Sequence, residues 1–434
     1  MKLLRKHFFA YGLGDLGANL LFQPAAVFLL AYYTDVRGLP AASVGLLFLM
    51  VRLWDGISDP LMGWLAERTQ SRFGRFRPWI GWGAVPAGIS VALLFWNPGQ
   101  SGSLAAAWLT YLFFITAFTV VNVPFGAMTA ALTQDHHERS RLTAYRLFFG
   151  IAGAVGVGLA FPVLVDAFGG GEAGYSLTGW ITGALAALAL GISFRGLPAD
   201  KGPAFTPSAR GDFFSRLKNT PFWMVTMAFF FGFSALSLLL ALLPYYFNHV
   251  LGQPQNLGWG ILAFQGMTGI TLPLWLRLTQ HLGKRNTLWA GLACYLTGFL
   301  GLALWGQWPL VWLALIGAGN GSAALTSWSM LADTVDYGEM KTGIRSEGAL
   351  FGVFGFFFKA GLGVGGAMAS WGLAWAGYVA HSPLDAETLR RITAVCLGGP
   401  PLLTLAMGLC LVGYPLTAAY HRQVLDTLAA KAVQ

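Results

Sequence analysis

Residues 40–66 read PAASVGLLFLMVRLWDGISDPLMGWLA, a stretch apolar enough for lipid that still carries Arg52, Asp55 and Asp59 near its middle. The spacing i, i+3, i+7 puts the three on one face of a helix. A charge at the bilayer centre costs roughly 2.5–3.5 kcal/mol on insertion scales, so such a stripe faces protein or water. Two readings follow: an ion pair that holds helices together, or a cation or proton site inside a transporter. The second is favoured because two carboxylates can share one cation.

The apolar character recurs along the chain. Of its 434 residues, 56% are hydrophobic and 10% charged, against roughly 25% charged in a soluble domain. A membrane span needs about 20 mostly apolar residues. Twelve such blocks occur, at 9–34, 41–66, 79–97, 104–131, 144–168, 175–195, 221–248, 257–280, 286–305, 309–332, 348–379 and 393–419. This predicts an all-α integral membrane protein of twelve spans. No short apolar segment with a small-residue cleavage site precedes the first block, so no removable signal peptide is expected.

Basic residues set the expected orientation. Lys2, Arg5 and Lys6 precede span 1, Arg68, Arg72, Arg75 and Arg77 follow span 2, and Arg139 and Arg141 follow span 4. Lys201, Arg210, Arg216 and Lys218 separate spans 6 and 7, and Lys284 and Arg285 follow span 8, whereas the alternate loops hold almost none. Positive residues stay in the cytoplasm, so both termini are expected there. The net charge of +9 is then a topology signal spread over short loops, which argues against nucleic-acid binding.

Cys294, Cys396 and Cys410 lie in apolar spans without metal-ligand spacing and read as small core residues. No phosphate-cradling glycine loop or hydrolase motif occurs, so neither an enzyme nor a cofactor is expected. His136 and His137, beside Asp135 and Glu138, read as solvated loop before a metal site.

Residues 197–220 form the longest polar segment and divide the spans six and six. The expected domains are bundles at 1–196 and 221–420, joined by the central loop 197–220 and followed by a cytoplasmic tail at 421–434. An echo supports duplication: Gly74-Arg75 after span 2 and Gly283-Lys284-Arg285 after span 8 occupy equivalent hairpins. Parallel repeats of this kind place substrate near the midplane between two bundles. The expected aqueous cavity lies among spans 1, 2, 4, 5, 8, 10 and 11.

Other intramembrane polar groups are few. Asp15 and Asn19 share a face of span 1. Lys359 sits deep in span 11, too far from either end to snorkel, and needs a partner such as Asp55 or Asp59. That pairing is either structural or modulated by a coupling ion. Span 4 carries Thr119 and Asn122-Val-Pro124, where the proline frees backbone carbonyls. Arg146, at the start of span 5, is either a positive flank or a substrate-facing cation.

The motifs Tyr11-Gly-Leu-Gly-Asp15, Tyr33-Thr-Asp35, Arg52-Leu-Trp-Asp55-Gly-Ile-Ser-Asp59-Pro60, Gly74-Arg75-Phe-Arg77-Pro78, Asn122-Val-Pro124-Phe and the loop 332–347 run through most of the chain. The sequence resembles the glycoside–pentoside–hexuronide:cation symporters of the major facilitator superfamily. That resemblance implies a secondary active symporter in a bacterial-type inner membrane, importing a glycoside or related sugar derivative with Na+ or H+. It further implies a cation site at Asp55, Asp59, Ser58 and Thr119, and substrate contacts at Asn19, Asn122, Arg146 and Lys359. The implied partners are a small-molecule substrate, the cation and the lipid bilayer, for a monomer that binds no nucleic acid. Where the melibiose permease has aspartates this chain has Asn19 and Asn122, and where it has tryptophans this chain has Gly126 and Ala324. Its cation-site asparagine is Ser58 here. These departures argue against melibiose itself and keep an anionic or lysolipid-like substrate open as an alternative. A membrane sensor is a further alternative, disfavoured because the tail and central loop are too short for an output domain.

For coupling and gating, the candidates are Arg52 and Asp15 within the spans and the cytoplasmic loops beyond them. Basic Arg75 and Arg77 are expected to pair with Asp333, Asp336, Glu339 and Glu347 of a loop that also holds Lys341 and Arg345, when the cavity faces outward. Exposed pairs are worth about 0–1 kcal/mol each, enough to bias a rocking motion. Independently solvated loops are the alternative.

Overall fold

The structure, a computed structural model, describes residues 4–96, 103–133, 136–199, 218–343, 347–380 and 382–433. Most of the central loop at 197–220 and Arg345 lie outside the described residues. The described chain is helical. The helices are α1 (Arg5–Val27), α2 (Ala41–Arg68), α3 (Arg77–Leu94), α4 (Leu104–Leu132), α5 (His136–Ala167) and α6 (Gly171–Gly196). They continue with α7 (Thr220–Tyr245), α8 (Leu257–Ile270), α9 (Leu272–Leu304), α10 (Pro309–Thr342), α11 (Glu347–Ala376), α12 (Ala386–Cys410) and α13 (Ala418–Val433).

Among the described residues, nine helices are long and apolar enough to cross a membrane, or ten if α1 and the segment bent from it by 47° count as one span. The blocks read from sequence numbered twelve, and the difference arises at three breaks. Span 1 is bent near Phe28, just past Pro24, which withholds one helical N–H. Helix α3 has only 18 residues and opens on Arg77 and Pro78. The block at 257–280 is divided between α8 and α9, because Pro273 opens a new helix, and Gly283 (φ 77°, ψ 160°) then breaks α9 internally.

In eight of the nine spans, half or fewer of the residues in the apolar window are buried. Leu109, Phe148, Val163, Leu402 and Leu409 are among the large side chains left on the outside. An apolar exterior of that extent is what lipid requires.

The chain packs as two compact units. One comprises Met1–Pro207, Leu240–Leu262 and Gly366–Thr393; the other comprises Ser208–Leu239, Ala263–Gly365 and Ala394–Gln434. In the first, α1 packs on α5 and α6, α3 on α4 and α6, and α2 on α4. Gly88 and Gly183 let α3 and α6 meet backbone to backbone: a Cβ on either would run into the other's carbonyl. Phe28, Tyr32, Phe95, Phe161 and Tyr175 form an aromatic cluster at one end of this unit. In the second unit, α9 packs on α10 and α10 on α13, around a core that includes Phe222, Phe229, Met330, Leu350, Met407 and Val424.

Two turns repeat one another closely. Tyr32–Val36 and Tyr246–Val250 are both π-helical, a wide form frequent at functional sites. Each is followed by a left-handed glycine, Gly38 (φ 65°) and Gly252 (φ 64°), and then by Pro40 and Pro254. The closing bonds match as well: Arg37 N to Tyr32 O at 3.0 Å and Leu251 N to Tyr246 O at 2.9 Å, then Leu39 N to Tyr33 O and Gln253 N to Phe247 O, both at 2.8 Å. The basic hairpins echo each other likewise, with Gly74 at φ 99° and Gly283 at φ 77°. An L-residue with a side chain resists such φ values, so glycine holds these corners.

Candidate functional site

The charged stripe of α2 is turned into the protein, as the cost of charge in lipid requires. Asp55 is fully buried and Arg52 and Ser58 nearly so, while Asp59 is partly buried. Opposite them α4 presents Thr119, 2% exposed. Its hydroxyl lies 2.8 Å from Asp55 Oδ1 and 3.2 Å from Asp59 Oδ1. Arg52 donates to the other Asp55 oxygen at 3.3 Å and packs its guanidinium over the Phe22 ring, 5.2 Å from the centroid. Two acids and a hydroxyl thus converge from two helices. Ser58 belongs to the same turn, but its hydroxyl donates to the backbone carbonyl of Asp55 at 3.2 Å. This local bond competes with any role as a ligand.

A hydroxyl carries one hydrogen. Thr119 can donate to one carboxylate, and its lone pairs then face the other. Two ionised carboxylates around one such oxygen repel, unless a proton or cation joins them. Hard cations take oxygen ligands, so three converging oxygens can receive either.

The second polar group joins α1 to α5. Arg146 Nε donates to Asp15 Oδ1 at 2.8 Å, and Asn19 donates to the Asp15 carbonyl at 2.9 Å and to Oδ2 at 3.4 Å. The Arg146 guanidinium also lies over Phe125, 5.5 Å from its centroid, and that ring is stacked on Tyr11 at 4.7 Å. Gly150 makes this approach possible, since a Cβ there would strike the Asp15 carboxylate. The Arg146 charge is compensated by Asp15, and its side chain remains about one-third exposed. Asn122, three residues beyond Thr119, is partly buried with no side-chain hydrogen bond recorded among the described residues. Around Gly126 there is open space. In the second unit, Ala324 lines an apolar cavity of about 70 Å³ with Phe229, Phe233, Tyr295, Asn320 and Met407. Lys359 is buried on α11, also in that unit.

Several of the expected gating residues have contacts inside their own units. Arg77 donates to the Phe194 carbonyl at 2.6 Å and stacks on Phe194 and Phe73, and Arg75 lies over Phe76. Asp333 pairs with Lys284 at 2.6 Å, and Asp336 meets His421 of α13 at 3.1 Å. Glu339 accepts the backbone N–H of Gly343 through its carbonyl, closing α10. Outside the spans, Asp385 caps α12; the Thr388 hydroxyl and N–H, the latter at 2.7 Å, hold its carboxyl below the usual carboxylate range.

One cluster has no counterpart in the sequence reading. Tyr378 Oη donates to Asp35 Oδ1 at 2.9 Å and lies 3.2 Å from His249 Nε2, while Tyr245 Oη bonds the hydroxyl of Thr34. Of its members only Thr34 and Asp35 fall within a sequence motif, Tyr33-Thr-Asp35. The signal available was the doubled pattern Tyr-x-x-x-Val-x-Gly-x-Pro at 32–40 and 246–254.

Comparison with known proteins places this architecture. A family model described as MFS/sugar transport protein matches residues 10–418. A putative glycoside/cation symporter of Escherichia coli (strain K12) is 33% identical over 468 residues, covering 99% of this chain and 97% of that protein. An isoprimeverose transporter of Lactiplantibacillus pentosus is 31% identical over 401 residues, covering 88% of this chain and 83% of its own. A solved structure from the proton-dependent oligopeptide transporters aligns with a TM-score of 0.67 at 14% identity, over 98% of this chain and 99% of that one, a likeness of fold. Together with the buried charges on apolar helices, these matches identify the chain as a multi-pass membrane symporter, not an enzyme, and a member of the MFS/sugar transport protein family, of the glycoside–pentoside–hexuronide:cation symporter type.

Proposed function

We propose that this symporter imports a glycoside or related uncharged sugar derivative by alternating access, driven by Na+ or H+ held at Asp55, Asp59 and Thr119. The observation that carries the reading is the Thr119 hydroxyl within bonding distance of both carboxylates. Each ligand stabilises the conformation that binds the other, which is what couples their movements. Asp15, Asn19, Asn122 and Arg146 form the sugar-facing polar group, and Lys359 links it to the cation site. The Arg146 charge is already met by Asp15, which favours hydroxyl-rich neutral substrates over uronides, sulfonated sugars and lysolipids. Relatives described as a putative glycoside/cation symporter and an isoprimeverose transporter support a sugar-type substrate.

The chain would span the inner membrane of a bacterial-type cell twelve times as a monomer, in bundles at 1–196 and 221–420, with both termini cytoplasmic. A cysteine placed after Tyr420 that an impermeant reagent reaches only from outside intact cells would overturn that topology. Opposed loop charges, Arg75 and Arg77 against Asp333, Asp336, Glu339 and Glu347 in the loop that also holds Arg345, would bias the rocking.

Uptake into proteoliposomes tests the mechanism. Asp59→Asn is expected to abolish accumulation against a gradient while sparing downhill exchange. Wild-type cation dependence in that variant would sink the coupling site. Uptake in sodium-free buffer, with and without a protonophore, separates the two ions. Thermal stabilisation across a panel of glycosides, uronides, sulfonated sugars and lysolipids identifies the substrate, since a ligand at a hundredfold excess over Kd adds about 2.7 kcal/mol.

A further inference from the structure

The paired π-helical turns place Asp35 and His249 at matching positions, and Tyr378 touches both. Tyr378 follows Gly377 (φ 80°) at the end of α11. The Asp35 oxygen that takes its hydrogen also accepts from Thr34 at 2.6 Å, and Thr34 in turn is bonded by Tyr245. The rings pack closely as well: Tyr245 and Tyr378 meet edge to face at 5.4 Å, and His249 lies tilted against Tyr378 at 5.3 Å. The chain ends of α1, α7 and α11 are thereby joined within the first unit. Further along α11, Trp371 donates to the Ala42 carbonyl at the start of α2 at 3.2 Å, and Gly45 packs against Trp371 and Ser370. Beside the cluster opens a cleft of about 360 Å³ lined by Asp35, Asp166, Tyr175, Asn248 and Gln255 among others.

Hydrogen counting gives this cluster a direction. Tyr378 has one hydrogen, and Asp35 takes it; the phenol oxygen can then only accept from His249, which requires a hydrogen on Nε2. An imidazolium always supplies that hydrogen and attracts the Asp35 carboxylate as well. A neutral ring supplies it in one tautomer only and without the charge. The other titratable groups around the cluster are Asp166 in the cleft, Glu172 near Tyr32, and the phenols of Tyr32, Tyr175 and Tyr245. Arg37 is turned onto the Tyr33 ring, 5.8 Å from its centroid, and the Ser103 carbonyl at 3.0 Å. Of these residue types only histidine ordinarily titrates between about pH 5 and 8.

The geometry points to a second proton-binding site, apart from Asp55 and Asp59, in which protonated His249 fastens Tyr378 to Asp35 and holds the ends of α1, α7 and α11 together. Protonation favours the fastened form, so the fastening is strongest at acid pH and is lost as pH rises. The site goes beyond the coupling reading: it sets how readily one mouth of the protein opens, whichever ion drives transport.

A buried reporter tests this without any substrate. Ser370 is fully buried against α2. In a full-length chain with Cys294, Cys396 and Cys410 changed to alanine, Ser370→Cys should react with N-ethylmaleimide only when α11 parts from α2. Each rate is divided by that of the unfolded chain at the same pH, which removes thiol ionisation. Between about pH 5.5 and pH 8 the normalised rate is expected to rise about tenfold, the scale of one hydrogen bond to a charged group. His249→Gln should flatten the profile at the slower or the faster limit. Tyr378→Phe, which keeps the ring and removes both bonds, should label fast at every pH. A flat profile in the parent, a rise that survives His249→Gln, or slow labelling of Tyr378→Phe at acid pH overturns the proposal. Because the readout is labelling, failure of sugar uptake leaves the test intact.

Discussion

At Thr119 one hydroxyl hydrogen faces two carboxylate oxygens, at 2.8 and 3.2 Å. Replacing it with valine keeps the shape and removes the oxygen. A hydrogen bond to a charged group contributes about 1.5–3 kcal/mol, so Thr119→Val is expected to raise the cation concentration for half-maximal uptake at least tenfold, with expression unchanged. A shift of less than twofold would exclude Thr119 from the ion's shell. The acids of this site were legible because a charge inside an apolar helix is costly and therefore conspicuous; Thr119 stood out only as a polar residue of span 4, and its place at the cation site came from family resemblance. The orientation of Ser58 was not legible. A helix offers every serine hydroxyl a carbonyl three or four residues back, and Ser58 takes the one on Asp55. Tyr378 and His249 were hidden for another reason. Tyrosines near span ends suit any membrane interface, and the partners of Tyr378 lie 343 and 129 residues away in sequence.

Among the elements, α13 departs most from its sequence reading as a short polar tail. It is a helix, Ala418–Val433, whose Val424 is fully buried in the core of the second unit, while the neighbouring Leu425 is 45% exposed. His421 ties the same helix to Asp336 on α10, and Arg285 donates to the Tyr414 carbonyl just before it. Few apolar residues mark the buried face, so periodicity gives a weak signal over so short a helix. Burying an unpaired carboxylate is expensive. Val424→Asp is therefore expected to cost about 2 kcal/mol or more of stability, seen as a marked fall in the thermal midpoint, whereas Leu425→Asp should stay within about 0.5 kcal/mol. Equal effects in a melt of purified protein would mean that α13 is not docked. Nine or ten of the twelve expected spans, among the described residues, were legible from length and composition. Their internal breaks were not, because Pro24, Pro273 and Gly283 act through missing N–H groups and backbone angles rather than hydropathy.

For the whole molecule, covalent order and packing divide the chain differently. The polar segment at 197–220 separates six apolar blocks from six, yet Leu240–Leu262 and Gly366–Thr393 pack in the same unit as the first 207 residues. The ends of α7 and α11 are bound there by Tyr245, His249, Tyr378 and Trp371, contacts that no local pattern reveals. The echoed turns carry a consequence of their own. Because Tyr32–Val36 and Tyr246–Val250 follow one backbone trace, Asp35 and His249 sit in sockets of the same shape. Exchanging one side chain leaves two acids or two imidazoles facing Tyr378. Exchanging both, Asp35→His with His249→Asp, recreates the complementary set in mirrored order. The double exchange is expected to recover the pH-dependent labelling that each single exchange loses, and failure to recover it would mean the sockets are not equivalent. On this view neither residue is special to its own half of the chain; what is retained is the contrast between them, a component that can be fitted either way round.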